Sequence, residues 1–424
     1  MLEHPPLRQS VYYFLLFVLL LMLVPQAGHV GDVGCWAYWA AFMAEHGLGN
    51  VYQDPGNVYN PVYQYILWLY TQCVGGGEER IKYYIHFVKA FVLVFDFAGA
   101  IWAAALVAER TRRFELALLL LFNIGYLYNT LVWQQVDAIH TFWAFGAVVL
   151  AARRQAVWSF LFYTLALATK TQAIIFLPPL LLLWAPLWWQ RPRRLLTAAG
   201  ASALLLVLLL APFIWAADSS MLPRIIEMNL GAVDLLPIIS ANAYNFWTLV
   251  TTDLDLANTS DAEYFGVMTY KSWGLLLFCL SSAAALLPLL ISAGRGLLRM
   301  HRHGRSAYAG PTVEMALLSV GLIPLLFTFF NTQMHERYWH PCVLFFAAYG
   351  FVSRRYGPFV LASVAYFLNL EGVLKYLQLK NYGVLLFQPW FVAALFALAM
   401  LLAFWQLYRH VLRAERVPGT PALT

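Results

Sequence analysis

The chain has 424 residues, of which 62% are hydrophobic and only 11% are charged, whereas soluble domains carry about 25% charged residues. This composition excludes a soluble globular protein and predicts a single all-α, polytopic membrane domain over residues 1–424. The net charge of +6 does not indicate nucleic-acid binding, because the basic residues lie in small clusters between apolar runs.

Apolar runs close to the length of a spanning helix, about 20 residues, recur along the whole chain. The clearest are Val11–Leu23, Phe91–Val107, Leu116–Leu131, Leu204–Ala216, Leu275–Ile291, Met315–Phe330 and Leu385–Trp405. The first run is too long for a cleaved signal peptide, so we interpret it as the first span. Weaker runs near 140–152, 156–168 and 173–188 predict short spans that are tilted, broken or re-entrant. In total we expect about 12 spanning helices.

Arginine clusters between these runs predict the orientation of the chain. They are Arg110, Arg112 and Arg113; Arg153 and Arg154; Arg191, Arg193 and Arg194; Arg295, Arg299, Arg302 and Arg305; Arg354 and Arg355; and Arg409, Arg413 and Arg416. By the positive-inside rule these connections and both termini lie in the cytoplasm. Two long connections on the other side are expected to be outer loops, at about 28–83 and 218–271. The tail, about 417–424, is expected to be disordered.

Four cysteines are scattered without the spacing of metal ligands, and they are Cys35, Cys73, Cys279 and Cys342. Cys35 and Cys73 both fall in the first outer loop, and the sequence leaves open whether they pair. Asp253 and Asp255 resemble the Asp-x-Asp that binds metal in enzymes using nucleotide sugars. Nucleotide sugars are not supplied to an outer loop, so we expect no metal site and no cofactor.

The first outer loop begins with Asp32, directly after the first span. Apolar residues follow at helical spacing, and they are Trp36, Trp39, Phe42 and Met43. This spacing predicts a helix lying in the membrane interface. Asp32 at the start of that helix is either a helix cap or a general base at the mouth of a cavity.

An aromatic stretch later in the same loop contains Tyr59 and Tyr63 on either side of Pro61. Such a stretch is typical of the aromatic belt at a membrane interface. It would also suit the wall of a sugar site, because aromatic faces stack on sugar rings. The residues alone favour neither interpretation.

Polar residues also cluster at the outer ends of later spans. Gln134, Gln135 and Asp137 follow Trp133 between two apolar runs, where polar side chains are costly and tend to be functional. Lys170 lies in the turn between two short runs, so we expect its ammonium group on the same side.

His335, Glu336 and Arg337 follow another long apolar run. They predict either an ion-pair network between helices or an anion site, because the arginine fork suits phosphate. A patch of the second outer loop, with Asn242, Asn245 and Trp247, is rich in amides that suit hydroxyl recognition. Asp96 lies inside a strong apolar run, with Lys89 one to two helical turns away, and we favour a structural ion pair there.

Taken in order, these segments resemble the GT-C glycosyltransferases, most closely the bacterial relatives of the mannosyltransferase that adds the second mannose to glycosylphosphatidylinositol anchors. The resemblance covers roughly Asp32 to Pro341. It is most specific at Met334–Tyr338 and Asn242–Trp247. The chain departs from the pattern at Gln134, where relatives often have glycine, and at Thr171, where proline is frequent.

The resemblance implies an inverting transferase that moves a hexose, mannose in particular, from a polyprenyl-phosphate donor. The acceptor would be a glycan, a glycolipid or a protein, and the site would face the periplasm from a bacterial inner membrane. Asp32 matches the carboxylate that the family places at its reaction centre. The donor phosphate would need a cation, supplied by Arg337, His335 or Lys170. The remaining candidates would bind the sugar or the acceptor, and they are Tyr59, Tyr63, Gln135, Asp137, Asn242, Asn245, Trp247 and Glu336.

Two other functions would use a similar sequence. A transporter or flippase of a lipid-linked saccharide also needs many spans and intramembrane charges, and such proteins often have two related halves. The sequence shows no internal repeat, and its long, asymmetric outer loops favour an enzyme. A non-catalytic scaffold subunit is disfavoured by the concentration of ionisable groups on one side.

Overall fold

A computed structural model describes residues 6–24, 26, 28–232, 236–251, 254–304 and 310–415. The first half of the chain forms helices α1 (Pro6–Leu23), α2 (Val30–His46), α3 (Pro61–Val74), α4 (Glu78–Tyr83), α5 (Val88–Ala105), α6 (Arg110–Leu121), α7 (Ile124–Leu131), α8 (Asp137–Ala152), α9 (Ala156–Leu167) and α10 (Leu177–Gln190). The second half forms α11 (Pro192–Trp215), α12 (Leu222–Gly231), α13 (Phe246–Val250), α14 (Tyr270–His303), α15 (Val313–Phe330), α16 (His340–Ser353), α17 (Gly357–Leu374) and α18 (Pro389–Glu415). The expected disordered tail and Asp253 lie outside the described residues.

The described strands are four two-residue segments. They are β1 (Ser240–Ala241), β2 (Tyr264–Phe265), β3 (Met268–Thr269) and β4 (Met334–His335). β1 pairs in parallel with β4, with Ser240 opposite Met334, and β2 pairs antiparallel with β3. The prediction of an all-α polytopic protein is therefore confirmed.

Seven helices within the described residues are long and apolar enough to cross a membrane. They are Ile85–Ala105, Thr171–Gln190, Pro192–Trp215, Tyr270–His303, Val313–Phe330, Gly357–Leu374 and Pro389–Arg409. The pair α6 and α7 would add an eighth, although its axis bends by 57°. Four shorter apolar helices are Arg8–Leu23, Asp137–Ala152, Ala156–Leu167 and His340–Ser353.

The bend divides the run Leu116–Leu131, which hydropathy alone presents as continuous. Asn123 causes the division, because its side chain accepts a hydrogen bond from the backbone N–H of Tyr126 and caps α7. Hydropathy does not distinguish a cap from an interior residue, so composition predicted the run but not its kink.

The first long connection, 28–83, is a packed helical layer. Trp36, Trp39 and Met43 of α2 are buried in a cluster with residues of α3, α4, α5 and α8. The apolar face of α2 thus packs against protein, which differs from the interfacial helix that its spacing predicted. Helical periodicity identifies an apolar face but not whether lipid or protein covers it.

The second long connection, about 218–271, is fastened to the segment that follows α15. The β1–β4 pair lies between them, and Asp261 accepts hydrogen bonds from Thr332 and Gln333, each at 2.8 Å. The segment from Thr332 to His335 is therefore held by a loop that lies 71 to 94 residues earlier in the chain.

The connections that carry arginines meet at the opposite end of the bundle, which we call the basic end. Arg354, between α16 and α17, forms an ion pair of 2.6 Å with Glu109, between α5 and α6. A cavity of about 150 Å³ lies between the α8–α9, α10–α11 and α14–α15 connections there. Helices α11 and α14 expose most of their apolar surface, as lipid-facing helices do. All four cysteines are free thiols, so Cys35 and Cys73 do not form a disulfide.

Candidate active site

Residues from four separate connections meet at the end of the bundle opposite the arginines, which we call the polar end. Asp32, in the first turn of α2, is its centre. One carboxylate oxygen accepts a hydrogen bond of 3.2 Å from the indole of Trp133 and lies 3.0 Å from Nδ1 of His29. The other lies 4.0 Å from the guanidinium of Arg337. Asp32 therefore lies between His29, which precedes its helix, and two groups that are far away in sequence, Trp133 and Arg337.

The two readings of Asp32 can be compared with this geometry. The cap of α2 is His29, whose ring accepts the backbone N–H of Asp32 at 3.4 Å. The Asp32 side chain does not cap the helix; it points into the cluster with 19% of its side chain exposed. A partly exposed carboxylate at a helix N-terminus is able to accept a proton from a bound molecule.

The turn after α7 holds Trp133 against Asp32. Gln134 has a φ of 65°, in the left-handed region, and its side chain bonds the carbonyl of Ile85 at 2.8 Å and the N–H of Gly28 at 3.2 Å. A Cβ on Gly28 would lie 2.2 Å from the carbonyl oxygen of Trp133, so only glycine fits there. This close approach fixes the distance between His29, Trp133 and Asp32.

Lys89 links the end of α1 to the end of α7. Its ammonium donates to the carbonyls of Val24, Gln26 and Leu131, at 2.7–3.0 Å. The expected pairing of Lys89 with Asp96 is therefore wrong. The carbonyls at the ends of two helices have no intrahelical partners, and they compete for the lysine.

Arg337 is the cation nearest to Asp32. Its guanidinium bonds Glu336 at 3.1 Å and lies 5.7 Å from the ring of Tyr338. Its Nε has no hydrogen-bond partner among the described residues. Burial disfavours the charged form, but Glu336, Tyr59, Asp32 and Tyr338 together outweigh burial and raise the pKa of Arg337. A permanently charged guanidinium with a free donor suits an anionic ligand.

The neighbours of Arg337 have shifted pKa values. Burial alone would raise the pKa of Glu336, but contact with His335 and the charge of Arg337 together lower it. Burial and the charge of Arg337 lower the pKa of His335. Near neutral pH Glu336 is therefore an anion and His335 is mainly neutral. His335 is then better suited to donate or accept a hydrogen bond than to supply charge.

Lys170 lies on the other side of Tyr338. Its ammonium contacts Asp137 at 2.5 Å and lies 4.8 Å from the centre of the Tyr338 ring. Gln172 donates to the Tyr338 hydroxyl at 3.1 Å. Burial lowers the pKa of Lys170, and Asp137 opposes that effect. A small cavity of about 10 Å³ lies beside these side chains, with Ile175, Pro324, Phe327 and Pro341 as its apolar wall.

Aromatic rings form the wall behind Asp32. Trp36 makes edge contacts with Tyr59 and Tyr63, at centroid distances of 4.7 and 4.9 Å. The hydroxyl of Tyr63 is buried and has no partner among the described residues. Both amide atoms of Gln135 are buried and likewise without a described partner. Tyr59 and Tyr63 thus lie directly behind the cluster, whereas Gln135 is buried in the turn between Gln134 and Asp137.

The amide-rich patch of the second loop has a different position. Asn245 caps α13 and donates to the carbonyls of Thr328 and Asn331. Trp247 is fully buried and donates to the carbonyl of Phe330. The structure uses these groups to hold the second loop on α15. Asn242 bridges to His335 through the backbone, and so it lies beside the cluster.

Asp255, the described half of the Asp-x-Asp sequence, bonds Asn258 and the N–H of Ala257 in an exposed turn. Sequence reasoning missed His29 as a partner of Asp32, and it gave Gln172 no role in the site. His29 precedes Gly31-Asp32 by two residues, and its proximity to Asp32 was the available signal. Gln172 follows the candidate Lys170 by two residues, but its contact with Tyr338 was not predicted because the two residues are 166 positions apart.

No protein-family model and no curated protein sequence matches the chain. The fold and the cluster define its class: a polytopic α-helical membrane protein with a buried, charged cluster at one end of its helix bundle.

Proposed function

We propose that this protein is a glycosyltransferase that moves a hexose, mannose in the first instance, from a polyprenyl-phosphate donor to a hydroxyl group of a glycan, glycolipid or protein. The observation that carries the proposal is the meeting of Asp32 and Arg337 at 4.0 Å. A carboxylate and a guanidinium side by side, next to an aromatic wall, supply a base and a phosphate ligand within one site.

The proposed reaction is a direct displacement. Asp32 accepts the proton of the acceptor hydroxyl, and the oxygen of that hydroxyl bonds to the anomeric carbon of the donor sugar. The bond between that carbon and the phosphate oxygen breaks, and the phosphate leaves with the bonding electrons. Arg337 stabilises the negative charge on the phosphate, with Lys170 beyond Tyr338 as a second cation. Attack opposite the leaving group inverts the anomeric centre.

The proposal includes a topology of twelve spans. The seven long helices, the bent α6–α7 pair and the four short apolar helices then cross in alternation. This trace puts every arginine cluster on one side and Asp32, Asp137 and His335 on the other. The second side is outside the cell, so the donor arrives in the membrane on its lipid carrier.

Labelling with a membrane-impermeant thiol reagent tests this topology. In a protein without its native cysteines, Asp255→Cys should react in intact cells. Arg302→Cys, at the basic end, should react only after the membrane is opened. The reverse pattern contradicts the orientation.

Purified protein tests the reaction. We expect transfer of mannose from polyprenyl-phosphate mannose without added metal, and none from a nucleotide-activated mannose. Transfer from the nucleotide donor alone contradicts the proposal. Movement of the intact lipid-linked saccharide across vesicles, without cleavage, indicates the flippase instead.

Asp32→Asn tests the base. Asparagine keeps the size of the side chain but accepts no proton, so transfer should fall by about 100- to 10,000-fold with normal expression. Asp255→Asn is the matched control, because it makes the same change in an exposed turn and should leave transfer unchanged. Retention of most activity by Asp32→Asn contradicts the assigned role.

A further inference from the structure

A carboxyl group and an imidazole face each other inside the helix bundle, next to the turn that carries Arg337. Asp96 of α5 and His340, the first residue of α16, are both fully buried. Nε2 of His340 lies 3.6 Å from Oδ1 of Asp96. Neither carboxylate oxygen and neither ring nitrogen has a hydrogen-bond partner among the described residues. The pair is therefore the main electrostatic contact of both side chains.

Electrostatics explains why these two residues belong together. A carboxyl group in the middle of a membrane bundle is costly without a polar partner, and the ring of His340 is the polar group that faces Asp96. The other titratable groups near the pair are Tyr126, His140, Cys342 and Tyr366, from α7, α8, α16 and α17. Tyr126 stacks on the His340 ring at 5.1 Å and donates to the backbone carbonyl of Asp96 at 3.1 Å.

His340 is connected to Arg337 through the backbone. Its N–H donates to the carbonyl of Arg337 at 3.1 Å, and the hydroxyl of Tyr366 donates to the same oxygen at 3.2 Å. Between them, the indole of Trp339 donates to Asn369 at 3.0 Å. The turn 337–340 is therefore held by Tyr366 and Asn369 of α17, and the position of this turn determines where the guanidinium of Arg337 lies.

We propose that the Asp96–His340 pair positions Arg337 for the donor phosphate. The pair fixes the start of α16 relative to α5, and the start of α16 carries the turn that holds Arg337. Asp96 and His340 are positioning residues, since neither lies within reach of Asp32. This inference rests on the proposed function.

Asp96→Asn tests the pair, because asparagine has the same shape without the charge. We expect the KM for the lipid-linked donor to rise about 10-fold, with kcat and the acceptor KM changed less than about 2-fold. Ser159→Ala is the matched control. Ser159 is also buried and bonds Ala147 and Trp184, but it lies toward the basic end of α9. Its loss should leave the donor KM unchanged.

A double variant separates positioning from a general loss of structure. If Asp96 acts through Arg337, then Asp96→Asn should add almost nothing to the donor KM of Arg337→Ala. Additive effects of the two changes, or an unchanged donor KM in Asp96→Asn, overturn the inference.

Hydrogen exchange gives a readout that does not depend on sugar transfer. The backbone amides of residues 335–340 should exchange faster in Asp96→Asn and at the normal rate in Ser159→Ala. If the unmodified protein does not use a lipid-linked donor, the proposed function fails, and exchange alone decides whether the pair holds the turn. Unchanged exchange at 335–340 overturns the inference even where the donor is used.

Discussion

The two ends of the helix bundle each hold an ion pair between connections that are far apart in sequence. At the polar end, Lys170 and Asp137 meet at 2.5 Å, with 9% and 1% of their side chains exposed. At the basic end, Arg354 and Glu109 meet at 2.6 Å, with 63% and 50% exposed. The distances are alike, but only the first pair is shielded from water. The contribution of an ion pair to stability therefore depends on its burial, and the four predictions below compare residues at the two ends.

The largest expected effect is the removal of one partner from each pair. Lys170→Met leaves the Asp137 carboxylate buried and uncompensated, and it should destabilise the protein by about 3–5 kcal/mol. Arg354→Met should cost about 0–1 kcal/mol, because water solvates Glu109. Thermal unfolding in detergent measures both. Replacing both buried partners, Lys170→Met with Asp137→Leu, should recover most of the loss; equal effects of the two single changes would contradict the comparison.

The next effect concerns binding. Arg337→Ala should weaken use of the lipid-linked donor by about 1.5–3 kcal/mol, the value of a charge-assisted hydrogen bond. Arg354→Ala removes the same charge at the basic end and should not change the donor kinetics. Steady-state kinetics at varied donor concentration measures the difference. Similar losses in the two variants would mean that Arg337 acts through net charge and not through contact.

The third effect is a dependence of stability on pH. The pKa of His335 is lowered in the folded protein, so the unfolded chain binds more protons as the pH falls below about 6.5. Stability should therefore be complete above that pH and decrease on acidification, with Glu336 adding a further loss below about 4.5. Unfolding curves between pH 7.5 and 5 measure this slope.

Variants assign that slope to His335. His335→Gln should flatten the curve, whereas His301→Gln, an exposed histidine at the basic end, should leave it unchanged. A steeper loss of stability on the alkaline side would contradict the assigned direction.

The smallest effect compares two residues with the same backbone conformation. Gln134 and Arg354 both have a φ near 60°, which glycine adopts without strain. Arg354→Gly should stabilise the protein by up to about 1 kcal/mol, because the exposed side chain contributes little. Gln134→Gly gains the same relief but loses two hydrogen bonds, so the net change should be near zero. Gln134→Ala, which loses the bonds without relief, should be the least stable of the three.

The sequence predicted which charged residues form the cluster but not how they are arranged. Asp32, Asp137, Lys170 and Arg337 were each singled out because a charged residue beside an apolar run is costly unless it is used. The structure brings all four together. The contacts add what the sequence did not predict: the Lys170 ammonium is paired with Asp137, and Asn245 and Trp247 hold the second loop on α15.

The sequence by itself determined the class of protein, the apolar helices and the residues that need a polar partner, because hydropathy and charge are properties of each segment alone. Only the tertiary structure decided the partners: His340 and not Lys89 for Asp96, His29 and not Asp32 as the cap of α2, and protein and not lipid over Trp36. Each of these outcomes depends on which distant segments compete for the same group. The packing of the helices decides which partner is close enough to bind, and local sequence patterns do not predict that packing.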